Sequence, residues 1–118
     1  MSMNIFEKKE RRVEKCRQEV ENYLIEGETV EAIYLLMEDF VAMTDRRLIM
    51  VDKTFFSTKK AVVTIPYKQI TSIGLAKGGF MSFSKDVAVA IGMVSFECSM
   101  YNEADVLDFY KRLSAKIL

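Results

Sequence analysis

The run from Val41 to Ile73, VAMTDRRLIMVDKTFFSTKKAVVTIPYKQITSI, constrains the fold more than any other part of the chain. Short apolar stretches rich in Val, Ile and Phe are broken by Asp, Lys, Thr and Pro, the pattern of a small antiparallel sheet. Val41–Thr44 and Leu48–Asp52 flank the turn Asp45-Arg46-Arg47. Ala61–Ile65 follows a polar turn, and Pro66-Tyr67 leads into a further strand, Gln69–Ile73. Pro66 removes a ladder donor and so predicts a strand end or edge. Asp45 is expected to close its hairpin by accepting backbone N–H bonds. Arg46 and Arg47 should point to opposite faces, one of them pairing with Asp45 or Asp52. Tyr67 is expected to bury its ring and keep its hydroxyl in water.

The flanking segments complete a mainly β plan with a helix at each end. Asn4 followed by Glu7 resembles a capping arrangement, and Val13, Cys16, Val20, Tyr23 and Leu24 recur at helical spacing. This predicts a helix from Asn4 to about Ile25, ended by Gly27. Val30–Met37 and Phe40–Thr44 are read as strands joined by an acidic turn at Glu38-Asp39. Ser72–Ala76 runs outward to Lys77-Gly78-Gly79, and Asp86–Ile91 pairs with Val94–Ser99 across a two-residue turn at Gly92-Met93. At the end Asn102 caps a second helix, with Glu103 and Asp105 in its first turn and Lys111, Arg112 and Lys116 towards its last. Val106, Phe109, Tyr110, Leu113 and Ile117 form its apolar stripe. Together these give about seven short strands in a partly open barrel, one end of which the C-terminal helix plugs.

Composition excludes several classes of function. Lys plus Arg equals Asp plus Glu at 17 each, so no overall field draws the chain to nucleic acid or an anionic membrane. Half of the residues are hydrophobic, enough for a 118-residue domain to build a core without metal or disulfide staples. Cys16 and Cys98 lack metal-type spacing and are expected as reduced thiols. Charge appears early in MSMNIFEKKERR, before any apolar signal region, and no window resembles a membrane span, so a cytoplasmic protein is expected. The chain has no histidine, the usual acid–base group near neutral pH. Neither cysteine has a base nearby in sequence, and the carboxylates lack metal-loop spacing. No catalytic residue, metal site or cofactor is therefore assigned.

The segment GETVEAIYLLMEDFVAMTDRRLIMVDK, followed by KKAVVTIPYKQITSIGL, resembles the bacterial pleckstrin-homology (PH) domain family, formerly a domain of unknown function. Thr44-Asp45-Arg46-Arg47-Leu48 and Thr64-Ile65-Pro66-Tyr67-Lys68-Gln69-Ile70 carry the likeness. It implies a PH-like barrel over residues 27–118, with the helix of residues 1–26 as an addition. It also implies symmetric, ring-like homo-oligomers.

The expected function is thus a non-catalytic protein-interaction and self-assembly module, whose partners are further copies of itself and other proteins. The loop Gly78-Gly79-Phe80-Met81-Ser82-Phe83 brings three large apolar side chains together and is a candidate contact surface for protein or membrane, as is Phe55-Phe56. The face Val13, Cys16, Val20 and Leu24 is a candidate for packing or for oligomer contact. Lys53, Lys59 and Lys60 are the candidate patch for an anion or lipid headgroup. Against headgroup binding, the turn Leu36-Met37-Glu38-Asp39 that meets phosphates in lipid-binding PH domains is acidic here. Membrane attachment is the alternative function.

Overall fold

A computed structural model describes residues 3–56, 59–77 and 83–118. Helix α1 (Ile5–Val20) is followed by strands β1 (Val30–Leu35), β2 (Asp39–Thr44), β3 (Arg47–Phe56) and β4 (Lys59–Pro66). A 3-10 turn, Tyr67–Gln69, leads to β5 (Ser72–Lys77), β6 (Phe83–Ile91), β7 (Val94–Ser99) and helix α2 (Glu103–Ile117). All pairings are antiparallel. One sheet has the order β1-β2-β3-β4, the other β5-β6-β7. The two are not closed into a continuous barrel. One isolated bridge among the described residues, Leu36 with Met100, joins them, and Met37 N–H donates to the Ser99 carbonyl beside it at 2.8 Å.

The strand runs without polar alternation are explained by burial on both sides. Val41, Met43, Leu48 and Met50 face the space between the sheets, while Phe40, Ala42, Ile49 and Val51 face the opposite way. The inner set packs with Ile65, Val87, Val89, Cys98 and the α2 stripe Val106, Phe109 and Leu113. Tyr34 meets the Phe109 ring edge-on at 5.0 Å and donates its hydroxyl to Asp108 Oδ2 at 2.7 Å, fixing α2 against β1. The outer set is roofed by α1, whose Val20 is wholly buried there. Val13, Cys16 and Leu24 border the same cluster, so the predicted apolar face of the helix packs within its own chain.

Both helix starts follow their local signals. Asn4 Oδ1 accepts from Glu7 N–H at 2.8 Å, and Asn102 Oδ1 accepts from Asp105 N–H at 2.8 Å. The end of α1 differs from expectation. The helix stops at Val20 instead of continuing to about Ile25. Asn22 and Tyr23 N–H tighten the last turn onto Glu19 and Val20, and the Tyr23 carbonyl is taken by Arg47 Nη2 at 2.8 Å. Gly27, at φ +81°, shapes the later turn rather than the helix end. Pro66 does end β4. The expected strand Gln69–Ile73 instead begins at Ser72, because Tyr67–Gln69 coil tightly to bring Tyr67 inward. Gly92, at φ +61°, opens the two-residue turn between the Ile91–Val94 pair.

Candidate interaction surface

The residues that make the central motif distinctive meet at one corner, where the β2–β3 turn lies beside the start of β1. Thr44 Oγ1 accepts from Arg46 N–H and Arg47 N–H, both at 3.0 Å, and donates to Glu28 Oε2 at 2.7 Å. Thr44, not Asp45, therefore closes the hairpin. Asp45 reaches sideways instead, its Oδ1 accepting from Thr29 N–H at 2.9 Å. The partner of Arg47 is Glu28 rather than Asp45 or Asp52. Arg47 also donates Nη1 to Thr64 at 2.8 Å. Tyr67 donates its hydroxyl to the Thr44 carbonyl in a buried bond, so that hydroxyl is not left in water. Sequence reading missed Glu28 altogether, because nothing local marks an acid that is matched nineteen positions away.

Charge and burial reinforce one another at this corner. The Arg47 hydrogen bonds hold the Glu28 carboxyl down at about 2, with Thr44 and Ile25 N–H assisting and burial opposing. Burial pushes the Tyr67 phenol upward. Every donor and acceptor named here is engaged within the chain, so these groups build the fold.

The other candidate residues distribute as follows. Lys60 bonds Glu19 Oε1 at 2.7 Å and lies 3.2 Å from Asp39 Oδ2, locking α1 to β2 and β4. Its charge is thereby neutralised. The β1–β2 turn is acidic as expected, and Glu38 Oε2 is buried with no hydrogen-bond partner. An added phosphate would meet repulsion there. Phe80 and Met81 lie outside the described residues. Phe55 and Phe56 end β3 and Phe83 begins β6, but their side chains, with those of Lys53 and Lys59, lie outside the described part. Burial raises the Cys98 thiol to about 12, and burial followed by Asp39 and Glu19 raises Cys16 to about 11. Both shifts disfavour the thiolate, the nucleophilic form, at neutral pH. No group of three or more metal-ligating residues occurs among the described residues, and no helix there is long and apolar enough to cross a membrane.

Two open surfaces stand out among the described residues. The first is the margin of the sheets, where β4 and β5 each have a neighbour on one side only among the described residues. Val62 on β4 is exposed, as are Met93 and Val94 at the β6–β7 turn. The second is a groove of about 380 Å³ between the first half of α1 and the start of α2. Ile5, Leu35 and Tyr101 supply its apolar lining and Lys8, Lys9 and Arg12 its cations.

Comparison with known proteins agrees with this architecture. A crystal structure of a pleckstrin homology domain from Shewanella amazonensis SB2B superposes with a TM-score of 0.73 at 21% identity, over 89% of this chain and 97% of the other. A DUF1696 family protein with a pleckstrin-homology domain from Shewanella loihica PV-4 gives 0.69 at 22% identity, over 90% and 93%. In sequence, the uncharacterized Bacillus subtilis (strain 168) protein YozO is 32% identical over 87 residues, 74% of this chain and 76% of its own length. YjqA of the same strain, also uncharacterized, is 36% identical over 76 residues, 64% and 61% of the two chains. The family profile described as "Bacterial PH domain" matches residues 1–117, taking in α1 as well as both sheets. The chain belongs to the bacterial PH domain family.

Proposed function

We propose that this chain is a non-catalytic protein-interaction and self-assembly module that forms a cyclic homo-oligomer. The observation that carries the reading is that, among the described residues, β4 and β5 each have a ladder partner on one side only, whereas the other two outer strands, β1 and β7, meet through the Leu36–Met100 bridge at their ends. Unpaired N–H and C=O groups along a strand are a template for another strand, and proteins that remain monomeric blunt such edges. Exposed Val62 adds apolar area on β4, and exposed Met93 and Val94 add more at the β6–β7 turn. A head-to-tail contact between two different margins closes into a ring when its rotation permits. A stable contact of this kind buries about 1,200–2,000 Å². Catalysis has no support from the site chemistry, since Thr44, Asp45, Arg47 and Tyr67 are all engaged in bonds that hold the fold.

The mass of the intact chain in solution tests this reading. Light scattering should give a multiple of the 13.6 kDa protomer, and Val62→Lys should lower it by placing a charge on the margin. A native chain that runs as a monomer at all concentrations overturns it. Deleting α1 is a poor test, because removal of the helix uncovers Leu35, Phe40, Ile49 and Val51. Headgroup binding has less support, given the two carboxylates that hold Lys60. Sedimentation with phosphatidylglycerol vesicles would favour it instead.

A further inference from the structure

We infer that the groove between α1 and the start of α2 is a docking site for an acidic segment of another protein that carries apolar side chains. This deepens the interaction-module reading and rests on it, while naming a surface distinct from the sheet margins. The groove is amphipathic in a particular way. Leu35 forms its floor, while Ile5 is 87% exposed and Tyr101 43% exposed at its walls. Large apolar groups held open to water in a concave surface are what an incoming side chain covers. Residues 5–12 of α1 are all exposed, so this half of the helix meets the body only through side-chain contacts such as Lys9 with Asp105 and Arg12 with Tyr101.

Charge selects the occupant. The chain as a whole is neutral, but the groove presents Lys8, Lys9 and Arg12 against a single carboxylate, Asp105. Asp105 is already committed to Lys9 at 3.2 Å and to Asn102 Nδ2 at 3.1 Å. Lys8 and Arg12 have no carboxylate at ion-pair distance among the described residues. They stand four apart on one helix flank, an arrangement of like charges that costs an isolated helix a few tenths of a kcal/mol. A carboxylate from outside removes that repulsion. Arg12 lies over the Tyr101 ring with its guanidinium carbon 5.5 Å from the centroid, which orients the group while leaving N–H donors for an anion. The groove therefore combines an apolar floor with a basic rim, and an acidic-apolar segment is complementary to both.

The test uses the full chain and a short fluorescein-labelled peptide of repeated Glu-Leu-Asp-Phe, with a Gln-Leu-Asn-Phe peptide as its uncharged counterpart. Fluorescence anisotropy should show saturable binding of the acidic peptide only. Lys8→Glu with Arg12→Glu should weaken it by about tenfold or more. Ile5→Ser with Tyr101→Ser should weaken it at unchanged charge. All four positions are exposed or partly exposed, and circular dichroism checks that the variants stay folded. Binding equal in the charge-reversed and native chains overturns the proposal. So does equal binding of the two peptides, no binding at millimolar peptide, or pelleting with phosphatidylglycerol vesicles without peptide binding. Light scattering on the same samples reports self-assembly separately, so loss of one reading is distinguishable from loss of the other.

Discussion

Arg47 grips Glu28 with two parallel N–H···O bonds, Nε to Oε2 at 2.9 Å and Nη2 to Oε1 at 2.8 Å. The Glu28 side chain is fully buried and that of Arg47 is 16% exposed, so the pair is mostly shielded from water. Removing one partner strands a buried charge. Arg47→Met should therefore cost about 3 kcal/mol or more, read from urea denaturation. The double variant Glu28→Met/Arg47→Met should lose less than Arg47→Met alone, since it leaves no unpaired ion. Arg47→Lys should also destabilise, because an ammonium cannot reproduce the fork that reaches Glu28, Tyr23 and Thr64 together.

The same pair sets an acid limit on stability. The Glu28 carboxyl ordinarily titrates at 4.5 and is held at about 2 in the folded chain. A lowered folded-state value means the stabilisation is present above 4.5 and lost as pH falls towards 2. The displacement corresponds to about 3 kcal/mol at neutral pH. Glu28→Gln should be less stable than the native chain at pH 7, and the gap should narrow across that window. Urea midpoints measured as a function of pH check this.

Tyr67→Phe tests the inward phenol. The change keeps the ring and deletes the donor to the buried Thr44 carbonyl, so a loss of about 1–2 kcal/mol is expected. A hydroxyl left in water would give no measurable change in urea midpoint.

Thiol reactivity should follow burial. At pH 8 Cys98 should stay unmodified by an aromatic disulfide reagent in the native chain and react fully in denaturant. Cys16, half-buried on the inner face of α1, should react slowly. Its rate should rise in Val20→Ala, which loosens the helix over its cluster.

Features written within a few residues were readable from sequence. Asn4 and Asn102 announce helix starts, Pro66 marks the end of β4, and Gly92 marks a tight turn, because each acts on backbone adjacent to it. The α2 stripe was readable for the same reason, its period being a local property. Features decided by distant partners were not. Thr44 wins the hairpin over Asp45 because Glu28, just ahead of β1, accepts the hydrogen bond from its hydroxyl. Arg47 takes the Tyr23 carbonyl and so ends α1 early. Tyr67 looked amphipathic by type, yet the Thr44 carbonyl drew its hydroxyl inside. The groove escaped notice because Ile5 and Tyr101 lie at opposite ends of the chain.

The lacing of the two sheets at Leu36 and Met100 also carries a consequence for motion. Each sheet is held by long ladders, whereas among the described residues the backbone pairing across the seam is one bridge and its flanking Met37–Ser99 bond, the rest being side-chain packing. Little backbone pairing must break for the shell to gape there, and the ladders on either side can survive the event. The Met37 amide thus serves as a gauge of breathing at the seam, exchanging its hydrogen faster than amides in the middle of β2 or β3.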